Sequence, residues 1–400
     1  MSKSKVFGST LIIAGTTIGA GMLALPLASA GIGFSISLLI MLVLWALMAY
    51  TALLMVELHQ HADAKATLHT LAEQFLGKRG KWLASFAMMF LFYALCAAYI
   101  AGGGAQFGER ITQIAAIEVS PAIATIVFTL IVAVVVTIGT STVDKVNRVL
   151  FSVKLLAMAL VLTFLAPNVT QSYLLSLPIE QGLIIAAIPV IFTSFGFHGS
   201  IPAIVNYLDG HTTSLRRAIM IGSAIPLGIY LFWQLVTLGV VSQSTLMDNQ
   251  GLSALIRTLG EQVHQSNLAQ TIGLFADLAL LTSFLGVSLG LFEFLGDSLT
   301  TSTRRPNRWV IGVVTFLPPM GFALFYPEGF IIALGYAAIA LAVLAIFLPV
   351  WMVKRSRQTH QSAGYQVIGG NIALNLCGLT GVIIVGAQVL ITAGWLPALG

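Results

Sequence analysis

Charge is what this sequence is short of. Asp, Glu, Lys and Arg make up 8% of its 400 residues against 58% apolar, and the mean hydropathy is +0.95. A soluble domain carries about a quarter of its residues charged in order to face water. This composition therefore excludes a soluble globular protein, and the two or three domains expected of a soluble chain this long do not apply. Cysteine is nearly absent too. Cys96 and Cys377 each lie inside an apolar segment, which excludes a disulfide framework or a thiolate metal site and leaves two small buried side chains. No stretch combines a basic patch with exposed aromatics, so the net charge of +5 does not point to nucleic acid. The apolar segments hold no paired carboxylates, no histidine cluster and no nucleophile–base arrangement, which argues against a membrane enzyme. Nor does any stretch read as the soluble domain that a nutrient sensor on a transporter scaffold adds.

What is present is a series of long apolar runs. Crossing the hydrocarbon takes about 20 mainly apolar residues. That template yields eleven spans, at about 7–30, 33–57, 82–105, 120–138, 148–166, 181–205, 217–240, 270–296, 308–325, 328–350 and 374–396. The start, Met1 to Lys5 before an apolar run, imitates a signal peptide, but the run continues too far and reads as the first span. An all-α membrane protein follows.

The distribution of basic residues tests the count. With the N-terminus in the cytoplasm, the cytoplasmic loops hold sixteen Lys and Arg, from Lys3 and Lys5 through Lys78, Arg79 and Lys81 to Arg357. The other side holds Arg110 and Arg257, and Lys154 lies inside a span. One missed span would scramble that bias. The reading is a multi-pass bacterial inner-membrane protein with its C-terminus in the periplasm. Leu68, Leu71, Ala72 and Phe75 predict a short interfacial helix before span 3. Leu252, Leu255, Ile256 and Leu259 repeat at helical spacing in the long external loop, which is either a lid or a packed loop.

Two spans are interrupted by small residues. Span 1 reads Gly15-Thr16-Thr17-Ile18-Gly19-Ala20-Gly21 before Pro26, and span 6 reads Thr193-Ser194-Phe195-Gly196-Phe197-His198-Gly199-Ser200 before Pro202. Glycine costs a helix about 1 kcal/mol relative to alanine, and backbone groups freed inside the bilayer need protein, water or ligand partners. Such glycines also serve simple close packing of helices. The two breaks, however, occupy equivalent places in two five-span halves, about 7–166 and 181–350, with 374–396 as an extra helix. That is the pattern of inverted repeats around a midplane substrate site. Helix-start N–H groups near Gly19 to Met22 suit a carboxylate, and carbonyls at the span 6 break suit an ammonium. A zwitterion needs no charged side chain there.

Residues 15–26 (Gly-Thr-Thr-Ile-Gly-Ala-Gly-Met-Leu-Ala-Leu-Pro), residues 188–200 and Phe-Ala-Asp-Leu-Ala-Leu-Leu-Thr-Ser-Phe-Leu-Gly at 275–286 resemble the hydroxy and aromatic amino acid permease family. The resemblance runs over essentially the whole chain, and the tyrosine-specific members are the nearest match. It implies eleven spans in the five-plus-five inverted-repeat fold of the amino acid–polyamine–organocation superfamily, and proton-driven uptake without any cofactor. The implied substrate is L-tyrosine, with tryptophan or a broad aromatic range as the alternative. The implied coupling ion is H+, with Na+ second.

The candidate substrate residues are Thr16, Thr17, Gly19, Ala20 and Gly21 in span 1 and Ser194, Phe195, Gly196 and Phe197 in span 6. Tyr93 and Tyr99 in span 3 face different ways, and one of them reaches toward the substrate carboxylate. Intramembrane ionisable groups are coupling candidates. Lys154 reads as about seven residues into span 5, and the resemblance implies that a lysine there stands where sodium-coupled relatives bind an ion. Its alternative is a snorkelling anchor. Asp277, Thr282 and Ser283 in span 8 and His198 at the span 6 break complete the set. Each has a structural alternative in helix capping, self-bonding hydroxyls or a helix-bridging histidine. Glu57 and Glu293 read as interfacial. Polar groups gathered at two mid-membrane breaks suit a gated site better than the continuous polar path of a channel. The expected partners are the lipid bilayer and a small amino acid. Nothing in the sequence sets the oligomeric state.

Overall fold

In the computed structural model, which describes residues 3–115, 118–248, 251–262, 266–299, 307–359 and 364–399, the chain is a bundle of helices with no strand among the described residues. Among the described residues, ten helices are long and apolar enough to cross a membrane. A bent pair, Lys3–Thr17 and Gly21–Ser29, supplies the eleventh span, its halves inclined at 52°. All backbone polar groups in hydrocarbon need internal partners, which is why apolar runs of this length fold as helices.

The predicted boundaries hold to a few residues for spans 2 (Gly33–His59), 4 (Pro121–Ile138), 7 (Thr212–Val240), 8 (Ser266–Leu299), 9 (Arg308–Phe325) and 11 (Gly370–Thr392). Span 3 is longer than its apolar core. One helix, Leu68–Ala115, takes in the interfacial segment and turns into the membrane at Gly77, whose φ of 72° is open only to glycine at low cost. Span 5 also begins early, at Thr140, with the single residue Gly139 between it and the end of span 4. Gly139 (φ 155°) makes that turn, and the Arg148–Asp144 ion pair rides on the extra helical turns. The sequence expectation that Lys154 lies about seven residues into span 5 is thereby corrected. It is the fifteenth residue of a 26-residue helix, and it is buried. Span 10, Phe330–Thr359, contains a π-helical turn at Val343–Phe347.

Burial separates core from periphery. The richest windows of spans 6 and 10 are 67% and 72% buried, against 33% for spans 5, 9 and 11. Every residue of Gly21–Ser29 is buried. Spans 1, 6 and 10 therefore form the centre, and the outward faces of the other helices carry exposed Leu, Ile, Val and Phe as a lipid-facing surface should.

On the face that holds the N-terminus, Glu57 at the end of span 2 is not interfacial as its position suggested. It is buried, accepts two hydrogen bonds from Arg357 (2.7 and 2.8 Å) and a third from the Val367 N–H (2.8 Å). Glu293, by contrast, is exposed and accepts a hydrogen bond from Thr140. On the far face, Leu252–Gln262 is a helix whose Leu252, Leu255, Ile256 and Leu259 point inward, and Gln106 of span 3 donates to its Ser253 (2.9 Å).

Candidate functional site

The break in span 1 covers Ile18, Gly19 and Ala20, between a helix ending at Thr17 and one starting at Gly21. Four backbone groups at and beside the break each meet a side chain from a different span. The Thr17 carbonyl accepts from the Tyr230 hydroxyl of span 7 at 2.5 Å. The Ile18 carbonyl accepts from Lys154 Nζ of span 5 at 3.0 Å. The Ala20 N–H donates to Ser283 Oγ of span 8 at 2.9 Å. The Gly21 carbonyl accepts from Ser194 Oγ of span 6 at 3.0 Å. The demand that a broken helix makes for partners is met by four other helices converging on one short stretch.

The break in span 6 runs from Ser194 to Phe197, after which a 3-10 turn at His198–Ser200 leads into Ile201–Tyr207. The Ser194 carbonyl lies 3.1 Å from the same Tyr230 hydroxyl. A Cβ built on Gly21 would sit 3.2 Å from Ser194 Cα, so the two breaks touch backbone to backbone and glycine is what admits the contact. Phe195 and Phe197 are both fully buried, and Phe195 meets the Tyr230 ring edge-on with centroids 5.4 Å apart. Thr193 ties the break to span 10 by donating to the Leu334 carbonyl at 3.0 Å.

Lys154 also donates to Thr282 Oγ1 at 3.2 Å and lies 4.4 Å from the centre of the Phe151 ring. Its amine is fixed, not snorkelling. Thr282 and Ser283 both meet the span 1 break, Ser283 directly and Thr282 through Lys154, while the Thr282 hydroxyl itself donates to the Leu278 carbonyl of its own helix at 2.8 Å.

Other predicted residues lie elsewhere. The hydroxyls of Thr16 and Thr17 turn back onto Ile12 and Ile13 of their own helix (2.7 and 2.8 Å), and Thr16 is exposed. Tyr93 donates to the Val314 carbonyl of span 9 at 2.7 Å, away from the breaks. Tyr99 is buried, and among the described residues its hydroxyl makes no hydrogen bond. Asp277 stands about 7.5 Å along span 8 from Thr282, at 1.5 Å per residue, and is held by Arg110 of span 3 through two bonds of 3.0 and 2.8 Å. That pair joins the far ends of spans 3 and 8, and it is separate from the Lys154 cluster. His198 shares a hydrogen bond with Thr51 of span 2 (2.9 Å), which links span 6 to span 2 without reaching span 1. Among the described residues no group of three or more His, Cys, Asp or Glu is placed to hold a metal.

The sequence reading missed span 7. Tyr230, Trp233 and Gln234 are completely buried there, and Gln234 donates to the Leu25 carbonyl (3.3 Å) and to Ser29 (2.6 Å) in the second half of span 1. Trp233 packs edge-on against Phe275 with its indole N–H unpartnered. The available signal was three side chains with polar atoms inside one turn and a half of an apolar helix, a pattern that a search for charged residues passes over.

Two broken spans meeting at mid-bundle, stitched by polar side chains from the surrounding helices, define a multi-pass membrane transporter. The chain belongs to the tryptophan/tyrosine permease family, whose sequence profile matches residues 2–388. It is 46% identical over 399 residues to tyrosine-specific transport system 1 of Haemophilus influenzae, covering 98% of this chain and 99% of that one. It is 45% identical to tyrosine-specific transport system 2 of the same organism, over 99% of both chains. The tryptophan-specific transport protein of H. influenzae is 33% identical over 98% of this chain and 97% of its own.

Proposed function

We propose that this protein imports L-tyrosine into a bacterial cell by proton symport across the inner membrane. The observation that carries the reading is the convergence of spans 5, 6, 7 and 8 on the span 1 break, with the buried amine of Lys154 on the Ile18 carbonyl. A cation held at that carbonyl does the work that a sodium ion would otherwise do, which favours a proton-coupled cycle. Similarity to two tyrosine-specific systems over the full length supports tyrosine over tryptophan. The substrate ammonium goes to carbonyls at the breaks. Each carbonyl has two lone pairs, so one already bonded to Tyr230 can accept again. The carboxylate goes to the start of the helix at Gly21, with the free hydroxyl of Tyr99 as a second donor. Spans 1–5 and 6–10 act as inverted repeats, with the N-terminus cytoplasmic, as the sixteen-to-two bias of basic residues favours. The test is uptake of labelled tyrosine by cells and proteoliposomes, competed by all twenty amino acids. Concentrative uptake that collapses with an uncoupler and is insensitive to sodium supports the reading. Unlabelled tryptophan outcompeting tyrosine would move the substrate assignment within the family.

A further inference from the structure

On the far face, two cavities of about 660 and 310 Å³ adjoin, and Glu109, Gln113 and Arg257 line both. Such volumes lie in or near the range of small-molecule sites, about 300–1,000 Å³. The floor of the larger cavity is apolar. The side chains of Phe330, Leu252 and Leu280 close over Gly102, where an added Cβ would meet them at 3.1–3.2 Å. Tyr99 lies one turn deeper on the same helix, so this floor stands between the cavity and the breaks. Along the wall, Ala105 and Gly108 of span 3 line the cavity above this floor, and Glu109 stands about 10 Å above Gly102 at 1.5 Å per residue.

The charges at the junction are of both signs and are not spent on each other. Arg110 also borders the smaller cavity, but its guanidinium is committed to Asp277 and, at 3.4 Å, to the Gln113 side-chain oxygen. Among the described residues Arg257, on the helix over the vestibule, has only Glu261 as an ion-pair partner, at 3.9 Å, a loose and exposed contact. Glu109 has no ion-pair partner among the described residues.

We propose that this vestibule is a second binding site, which holds an aromatic amino acid above the closed floor before it enters the central site. The Arg257 fork takes the carboxylate, a planar bidentate match. Glu109 takes the ammonium, and the ring rests on the apolar floor of Phe330 and Leu252. This rests on the reading of the protein as an aromatic amino acid importer with this face outside.

The test uses the full-length protein, with labelled tyrosine as the probe. Equilibrium binding to purified wild type should give two tyrosines per chain, and to Glu109→Gln/Arg257→Gln it should give one. In cells the double variant should raise the KM for uptake at least five-fold, while exit of preloaded tyrosine from proteoliposomes stays at wild-type rates. Unchanged exit also shows that the variant is folded. Arg257→Lys, which keeps the charge but loses the fork, should fall between the two. One tyrosine per wild-type chain, or an unchanged uptake KM in the double variant, overturns the second site and leaves the transporter reading standing. A wild-type protein that takes up no aromatic amino acid overturns both.

Discussion

Lys154 is the residue on which the proposed mechanism turns. Its ammonium joins the Ile18 carbonyl to Thr282 deep in the bundle, and an ammonium in the membrane is costly unless partnered so. Glutamine keeps hydrogen-bonding capacity but cannot carry the proton. Lys154→Gln should lose accumulation driven by a pH gradient, at least ten-fold, and retain tyrosine exchange in proteoliposomes. Gradient-driven uptake at wild-type rates would reduce Lys154 to a structural tie. Tyr230→Phe removes the one hydrogen that the buried Thr17 and Ser194 carbonyls share, a loss of about 1–3 kcal/mol. A ten-fold or greater rise in uptake KM, with normal amounts of protein in the membrane, is the expected reading. The sequence disclosed these two residues unequally. A charge inside an apolar run is conspicuous. A tyrosine inside one is not, and only the tertiary fold brings Tyr230 of span 7 against the Thr17 carbonyl, 213 residues earlier in the chain. Tyr93 and Tyr99 show the same limit from the other side. Six residues apart on one helix they point different ways, and which one turns toward the site depends on where span 9 packs.

Among the elements, the breaks were legible because glycine and proline weaken a helix locally, wherever the chain folds. The starts of spans 3 and 5 were not, because both helices run on through polar turns that an apolar window cannot register. The buried Glu57–Arg357 pair was hidden for a related reason, since its partners are 300 positions apart in the sequence. The contact between the breaks makes a sharp prediction. Any side chain at Gly21 runs into Ser194 backbone, so Gly21→Val should abolish uptake and binding while the protein still inserts, as a membrane-fraction immunoblot with a binding assay would show. For the helix Leu252–Gln262, the Gln106–Ser253 bond is the polar tie to span 3. Gln106→Leu should speed amide hydrogen exchange in residues 252–262 without altering exchange at the breaks. If exchange there is unchanged, the helix is held by its apolar face alone.

At the scale of the whole molecule, the proposed orientation, drawn from the bias of basic residues, makes a prediction of its own. A reporter enzyme that matures only in the periplasm should be active when fused to the C-terminus and inactive when fused in the 208–212 turn. The Glu57–Arg357 pair closes the N-terminal face. Removing one partner of a buried pair strands the other, typically at about 3–5 kcal/mol, so Arg357→Ala should lower thermal stability in detergent and the amount of protein in the membrane. The Tyr230 hydroxyl has a further consequence. It stands between two carbonyls, Thr17 on span 1 and Ser194 on span 6, yet a phenol owns a single hydrogen. The two carbonyls compete for it, Thr17 from 2.5 Å and Ser194 from 3.1 Å, so any motion that parts the two half-transporters must leave that hydrogen with one of them.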